Sequence, residues 1–257
     1  VSVPVHVQRD QPDGVPPLAL TGERTLPDVP AENYWFRRHL AVYEWVAARV
    51  AGLRVLDMAC GEGYGSAVLA ASAASVIGVD GNPDAHEHAR LRYRAPNLRF
   101  ERALVETFNA PADAVVFLQT IEHLCEPARA LEHFRSLAGP HGHVFVSTPN
   151  VLTLAPRGAA RSDNPWHVRE YRAWEFAALC RECFASVELY GLFHARKLRA
   201  HQHALRVGWD RVHRRLGLTE CFYAWLVPAI SASDFALRAG GAAELDRALD
   251  FLAVCRG

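Results

Sequence analysis

A single lysine, Lys197, stands in a chain of 257 residues, so nearly all positive charge is carried by arginine. With alanine abundant as well, this reads as a genome-wide compositional bias, and it weakens any argument from an arginine count alone. Formal net charge is zero, which argues against a dedicated nucleic-acid binder. No apolar run approaches the about 18 residues of a membrane span, and residues 1–20 lack the apolar core of a signal peptide. The expectation is a soluble, cytoplasmic protein. A zinc-finger framework is missing too: of six cysteines only Cys180 and Cys183 form a CxxC, and no second pair sits at ligand spacing. Both lie on one face of a helical segment, where a buried apolar role is the simpler account. No GK[ST] follows the glycine-rich turn of this chain, which excludes a Walker phosphate loop.

That turn is what the chain does have. Residues 54–66 read RVLDMACGEGYGS: an apolar run ends in Asp57, and Gly61, Gly63 and Gly65 follow in alternate positions. This is a strand running into a tight turn and a helix, the place where an open α/β sheet binds a nucleotide-like ligand. A dinucleotide turn reads GxGxxG and is free of negative charge, because the pyrophosphate sits on the helix N-terminus. Here the third glycine comes one residue early and Ser66 takes its place. Asp57 and Glu62 would face a pyrophosphate across a partly dry cleft, where like charges are costly. The arrangement suits a nucleoside without phosphate that carries a positive centre. S-adenosylmethionine (SAM), with its sulfonium and α-ammonium, is such a ligand.

Along the chain, residues 1–22 hold several prolines and little periodicity, which predicts a mobile arm. Residues 23–257 read as one domain. It opens with an aromatic-rich helical segment, 23–50, that either packs on the sheet or covers the ligand cleft. Strand and helix patterns then alternate, which predicts a parallel sheet with helices on both faces. Asp80 ends the second strand, where a carboxylate accepts from ribose hydroxyls in SAM and NAD sites alike. The fourth strand delivers Gln119, Glu122 and His123, the fifth Ser147, Thr148 and Asn150. An irregular stretch follows, ending in DNPWHVREY at 163–171. Residues 194–241 interrupt the alternation before LDFLAVCR closes the chain as a last strand.

The segments LDMACGEGYGS, VIGVD, QTIEHL, VFVSTPN and NPWHVREY resemble class I SAM-dependent methyltransferases of the type 11 group, over residues 21–257. More narrowly, TGERTLPDVPAENYWFRRHLAVY and GLFHARKLR are similar to sugar O-methyltransferases of methylated polymannose and polyglucose synthesis. The resemblance implies a Rossmann-like, mostly parallel sheet of seven strands with the last antiparallel. It makes 194–241 a helical insertion before that strand, the usual place for acceptor specificity. It further implies that Asp57, Gly61, Gly63, Tyr64 and Gly65 hold the methionine portion of SAM, and Asp80 and Gly81 the ribose. The adenine falls to the loop with Leu104 and Val105, the α-amino group to Gln119, and Arg38 joins the donor site from the first helix. One departure matters: relatives commonly carry Asp or Asn where this chain has Leu104, so the adenine amine must be met elsewhere.

Methyl transfer from a sulfonium is an in-line displacement, and a sugar hydroxyl needs a positioned base to take its proton. Histidine titrates near neutrality, and His123 and His167 both fall where the cleft should be. Glu122 can orient an imidazole, contact the ligand or only brace its loop. Spacing assigns no metal ligands, yet Glu122, Asp163 and Glu170 could together hold Mg²⁺ and acidify the hydroxyl directly. In the insertion, residues 194–215 are basic with Asp210 as the sole acid. This suits an acceptor-binding lid, an RNA contact, or a solvated helix face. CFYAWLVPAI beyond it suits a cap over the acceptor, a contact in a homodimer, or core. The expected activity is O-methylation of a sugar or oligosaccharide hydroxyl. A small natural product or lipid is the alternative acceptor. A nicotinamide oxidoreductase, disfavoured by the glycine spacing, and a ligand-binding protein without turnover are the alternatives from other classes.

Overall fold

The computed structural model describes residues 5–22, 24–156 and 158–257. Two short strands, β1 (Val5–His6) and β2 (Leu18–Ala19), pair antiparallel ahead of helix α1 (Asn33–Ala47). The alternation then runs β3 (Arg54–Met58), α2 (Tyr64–Ala70), β4 (Ser75–Asp80), α3 (Pro83–Arg92), β5 (Leu98–Arg102) and β6 (Ala114–Leu118). Next come α4 (Pro127–Ala138), β7 (His143–Pro149), the one-turn α5 (Val151–Leu154), α6 (Ala173–Cys183) and β8 (Ser186–His194). Helices α7 (Arg196–Arg206), α8 (Trp209–Arg215) and α9 (Thr219–Ala229) follow. The chain ends with β9 (Phe235–Ala239), the short α10 (Ala242–Leu245) and β10 (Asp250–Arg256).

The main sheet has the order β5-β4-β3-β6-β7-β10-β8-β9. Its first five strands are parallel, while β10 runs antiparallel between β7 and β8. The expected α/β architecture and antiparallel last strand are present, but the sheet has eight strands rather than seven. The additional strand is β9, which pairs antiparallel with the edge of β8. The segment 194–241 is therefore a helical excursion that returns to the sheet before it ends.

Alternation along the central strands decides how the sheet is covered. Leu56, Met58, Val115 and Phe117 enter one apolar layer with Phe134 of α4 and Phe176 of α6. Val55, Ala114, Val116 and Leu118 enter the other, with Val46 of α1 and Leu69 of α2. A strand buried on both faces must be apolar throughout, as β6 is. The strand order reverses between β3 and β6, so their carboxyl ends open a crevice where ligands bind in such sheets. Backbone geometry marks the spot: Ala59 and Gln119, just beyond these two ends, have φ of 57° and 53°. Non-glycine residues rarely adopt that region, and it costs energy that the surrounding packing must hold.

Of the stretch 1–22, expected as a mobile arm, residues 1–4 lie outside the described residues and parts of the remainder contact the domain. Leu18 packs with Leu26 and Val29, and Gln8 is buried. Among the described residues no helix is long and apolar enough to cross a membrane.

Candidate active site

Above the crevice between β3 and β6 lies a cavity of about 420 Å³. Its floor is built by Ala59, Cys60, Gly61 and Glu62, and its walls include Tyr64, Asp80, Asn82 and Gln119. A second compartment of about 410 Å³ adjoins it, lined among others by Trp35, Arg38, Glu122, Asp163, Asn164 and His167. Arg24, Thr25, His39, Gln119 and His123 line both. The two spaces thus share one wall, and a group handed from one to the other passes His123 and Gln119.

Asp80 accepts from the backbone N–H groups of Gly61 (2.8 Å) and Asn82 (2.8 Å), which fixes its carboxylate between the turn and α3. Asn82 caps α3 by accepting from the N–H groups of Asp84 and Ala85. The three glycines divide their work. Gly61, with φ of 57°, lines the cavity. Gly65 lies under Tyr43, where a Cβ would fall 2.1 Å from Cζ of the ring. At Gly63, φ is 96° and a Cβ would come 2.7 Å from Cβ of Ala89. Gly63 and Gly65 therefore serve turn geometry and close packing.

Several residues expected at the donor are placed elsewhere. Asp57 is fully buried beneath the cavity and accepts from the Ser66 hydroxyl (2.6 Å) and the Tyr43 hydroxyl (3.2 Å). Burial pushes its carboxyl up to about 7 against these two hydrogen bonds. It is not the open charge at the cavity mouth that the spacing suggested. Glu62 is committed as well: it accepts from Gln8 (3.0 Å), from the Tyr93 hydroxyl (2.8 Å) and from the backbone N–H of Tyr64 (3.1 Å). Arg38 lines the second compartment only and forms a buried bidentate pair with Asp250, at 2.7 and 2.5 Å. Burial pulls its guanidinium down, but the Asp250 charge more than restores it. Gly81 and the expected adenine loop lie outside both linings: Leu104 is exposed and Val105 is in the core.

The catalytic candidates are brought together. Glu122 is buried, accepts from the Thr148 hydroxyl (3.1 Å), and its carboxyl is pushed up to about 8 by burial. Its backbone carbonyl accepts from the N–H groups of Val168 (2.9 Å) and Arg169 (3.1 Å), which folds the 163–171 loop onto the end of β6. That fold stacks the His123 and His167 rings edge to face, with centroids 5.1 Å apart. His123 Nδ1 faces the Trp166 carbonyl at 2.9 Å, and a carbonyl can only accept, so the proton is on Nδ1 and Nε2 is the basic nitrogen. His167 Nδ1 donates to Glu170 (2.7 Å), while its Nε2 accepts from the Asn164 amide (3.0 Å). Glu170 also takes the Ser162 hydroxyl and backbone N–H. Against the upward pull of burial, these bonds hold its carboxyl below the ordinary value.

The expected carboxylate trio does not form a ligand set, because Glu170 is spent on His167 and Ser162. Among the described residues the group that offers metal-ligating atoms is Glu122, His123 and His167, all within 4.8 Å of one another. None of the described residues in 194–241 lines either compartment. In α9, Leu226 is buried and Trp225 is 69% exposed, while Asn33 ties the helix end to α1 through the Val227 carbonyl (2.7 Å). Arg24, Thr25, His39, Asn82 and Trp166 are wall residues that the sequence did not single out.

The family model described as a methyltransferase domain matches residues 31–203. A probable SAM-dependent methyltransferase of Mycobacterium tuberculosis is 36% identical, covering 98% of this chain and 96% of its own. A similar protein of Mycolicibacterium smegmatis is 37% identical over 95% and 97%. A ubiquinone biosynthesis O-methyltransferase of Aromatoleum aromaticum is 31% identical over 58% of this chain and 72% of its own. Among solved structures, a SAM-dependent methyltransferase from Thermotoga maritima superposes with a TM-score of 0.59 at 14% identity, covering 88% and 93%. One from Mesorhizobium loti reaches 0.52 at 21% identity, over 84% and 98%.

Proposed function

Because the chain belongs to the class I SAM-dependent methyltransferases, we propose that the cavity over the glycine turn holds SAM and that the adjoining compartment takes a sugar or oligosaccharide whose hydroxyl is methylated. The observation that carries this is the shared wall: one space suits a nucleoside, the other an acceptor, and His123 lines both. Asp80 is the partner of the ribose hydroxyls. Arg38, Glu122, Asp163, Asn164 and His167 line the acceptor compartment together with Trp35. Polar side chains interleaved with an aromatic ring suit a carbohydrate, which offers hydroxyl groups to the first and C–H faces to the second.

In this scheme the sulfonium lies against the shared wall, and the acceptor oxygen attacks the methyl carbon from the opposite side as the carbon–sulfur bond breaks. His123 Nε2 takes the hydroxyl proton as the new bond forms, and the Trp166 carbonyl keeps the other ring nitrogen protonated. His167 is the weaker candidate for base, since it lines only the acceptor compartment. Its role is to pack on His123 and join the loop to β6. Incubation with SAM and a panel of mono- and oligosaccharides, read as a mass gain of one methyl group, tests the acceptor class. Methylation of phenols or lipids with none of the sugars modified refutes it.

A second reading has its own observation, the Glu122, His123 and His167 cluster. Both imidazoles are anchored through Nδ1, to a carbonyl and to a carboxylate, as metal-ligating histidines commonly are, and an ion would take the place of the Asn164 amide at His167 Nε2. Two imidazoles and one carboxylate fit a divalent transition ion better than Mg²⁺. Such an ion would lower the pKa of a bound acceptor hydroxyl. Dialysis against a chelator decides between the readings: activity that survives supports His123 as base, whereas activity lost and restored by Mn²⁺ or Zn²⁺ supports the ion.

A further inference from the structure

A bound SAM presents a carboxylate as well as two cationic centres, and that carboxylate needs a cation. The donor cavity offers few. Its two histidines are not suited: burial holds His39 down at about 4, and His123 is tied to a carbonyl. Arg24 remains. It lines both compartments, it has no acidic partner among the described residues, and its Cβ lies 4.0 Å from the point where a Cβ on Gly61 would stand. The Arg24 side chain therefore starts beside the turn where the methionine portion is expected and lines the cavity above it.

The chain before α1 delivers it there. The neighbouring Thr25 hydroxyl is 3.1 Å from the Tyr64 hydroxyl and 3.5 Å from Nδ1 of His39, which pins the segment to α2 and α1. Further back, the Gln8 amide donates to Glu62 (3.0 Å) and its carbonyl oxygen accepts from Arg92 (2.5 Å). His88, fully buried, spans from Glu62 (3.0 Å) to the Pro16 carbonyl (2.6 Å). Arg92 also reaches Asp28 at 3.3 Å. Glu62 belongs to the glycine turn, so one buried carboxylate fastens the amino-terminal segment to the turn that floors the cavity.

We propose that Arg24 is the carboxylate-binding residue of the donor site, carried there by an amino-terminal strap that is latched to the glycine turn through Gln8 and Glu62. The proposal rests on SAM occupying this cavity. It gives the Glu62 position a positioning role that the glycine motif alone does not suggest.

The test compares S-adenosylhomocysteine (SAH) with its decarboxylated analogue, which keeps the adenosine, sulfur and amine, by isothermal titration. For Arg24→Ala, SAH affinity falls about 10- to 100-fold, the size of one lost charge-assisted contact, while the analogue binds variant and wild type alike. Arg24→Lys recovers most of the loss, which separates a charge effect from misfolding. Gln8→Ala, which loosens the latch, weakens SAH and spares the analogue. Equal losses for both ligands in Arg24→Ala overturn the proposal, as does unchanged SAH binding with a raised acceptor KM. SAH binding unaffected by Gln8→Ala overturns the strap. If the wild type binds neither ligand, it is the placement of SAM that fails, and this proposal with it.

Discussion

Replacing Asp57 by Asn should flatten the pH dependence of stability between pH 5 and pH 7. The carboxyl has an ordinary value of 3.8 and is pushed up to about 7 by complete burial, despite hydrogen bonds from Ser66 and Tyr43. A group raised in the folded state binds more protons folded than unfolded between those values, so stability is highest at low pH and is lost as pH rises through the folded value. At about 1.4 kcal/mol per unit, a shift from 3.8 to about 7 costs the wild type roughly 2–3 kcal/mol between pH 5 and pH 7. Asn carries no charge and removes that slope. Urea unfolding at several pH values, wild type minus variant, isolates this one group from all others that titrate. A difference that stays constant across the window, or that grows in the opposite direction, would refute the burial argument.

Other perturbations probe the rest of the site. Gly65→Ala drives a methyl group into the Tyr43 ring, and overpacking of this kind should cost roughly 1–3 kcal/mol in urea unfolding; an unchanged midpoint would contradict the close approach. Arg38→Ala strands Asp250 and should cost about 3–5 kcal/mol, whereas Arg38→Met with Asp250→Leu should cost far less. His123→Asn should lower kcat roughly 10²- to 10⁴-fold while SAH binds as in the wild type, with a smaller effect from His167→Asn. Equal effects of the two histidine variants would count against His123 as sole base.

Some of this was legible in the sequence because it depends on local rules. A strand ending before alternating glycines leaves little choice but a turn and a helix, and Asp80, Gln119 and His123 follow from the same logic at neighbouring strand ends. What was not legible depends on contacts between distant residues. The spacing of Asp57 and Glu62 suggests charges facing a ligand, and nothing in it reveals that Ser66 and Tyr43 enclose one while Gln8, His88 and Tyr93 satisfy the other. The resemblance puts Arg38 at the donor, whereas its buried partner, Asp250, is 212 positions away and beyond the reach of any local pattern. Arg24 and Thr25 sit in a proline-rich stretch without periodicity, so no pattern marked them as wall residues. Strand β9 is a half-exposed edge strand that follows directly on the helical insertion, so no continuous apolar run sets it apart.

The most direct test of the two-compartment site is a crystal structure with SAH bound. The ribose hydroxyls should meet Asp80, the homocysteine carboxylate should meet Arg24, and the sulfur should face the wall of Gln119 and His123, with the Glu122, His123 and His167 cluster beyond it. SAH bound outside this cavity, or with its sulfur turned away from that wall, would contradict the account.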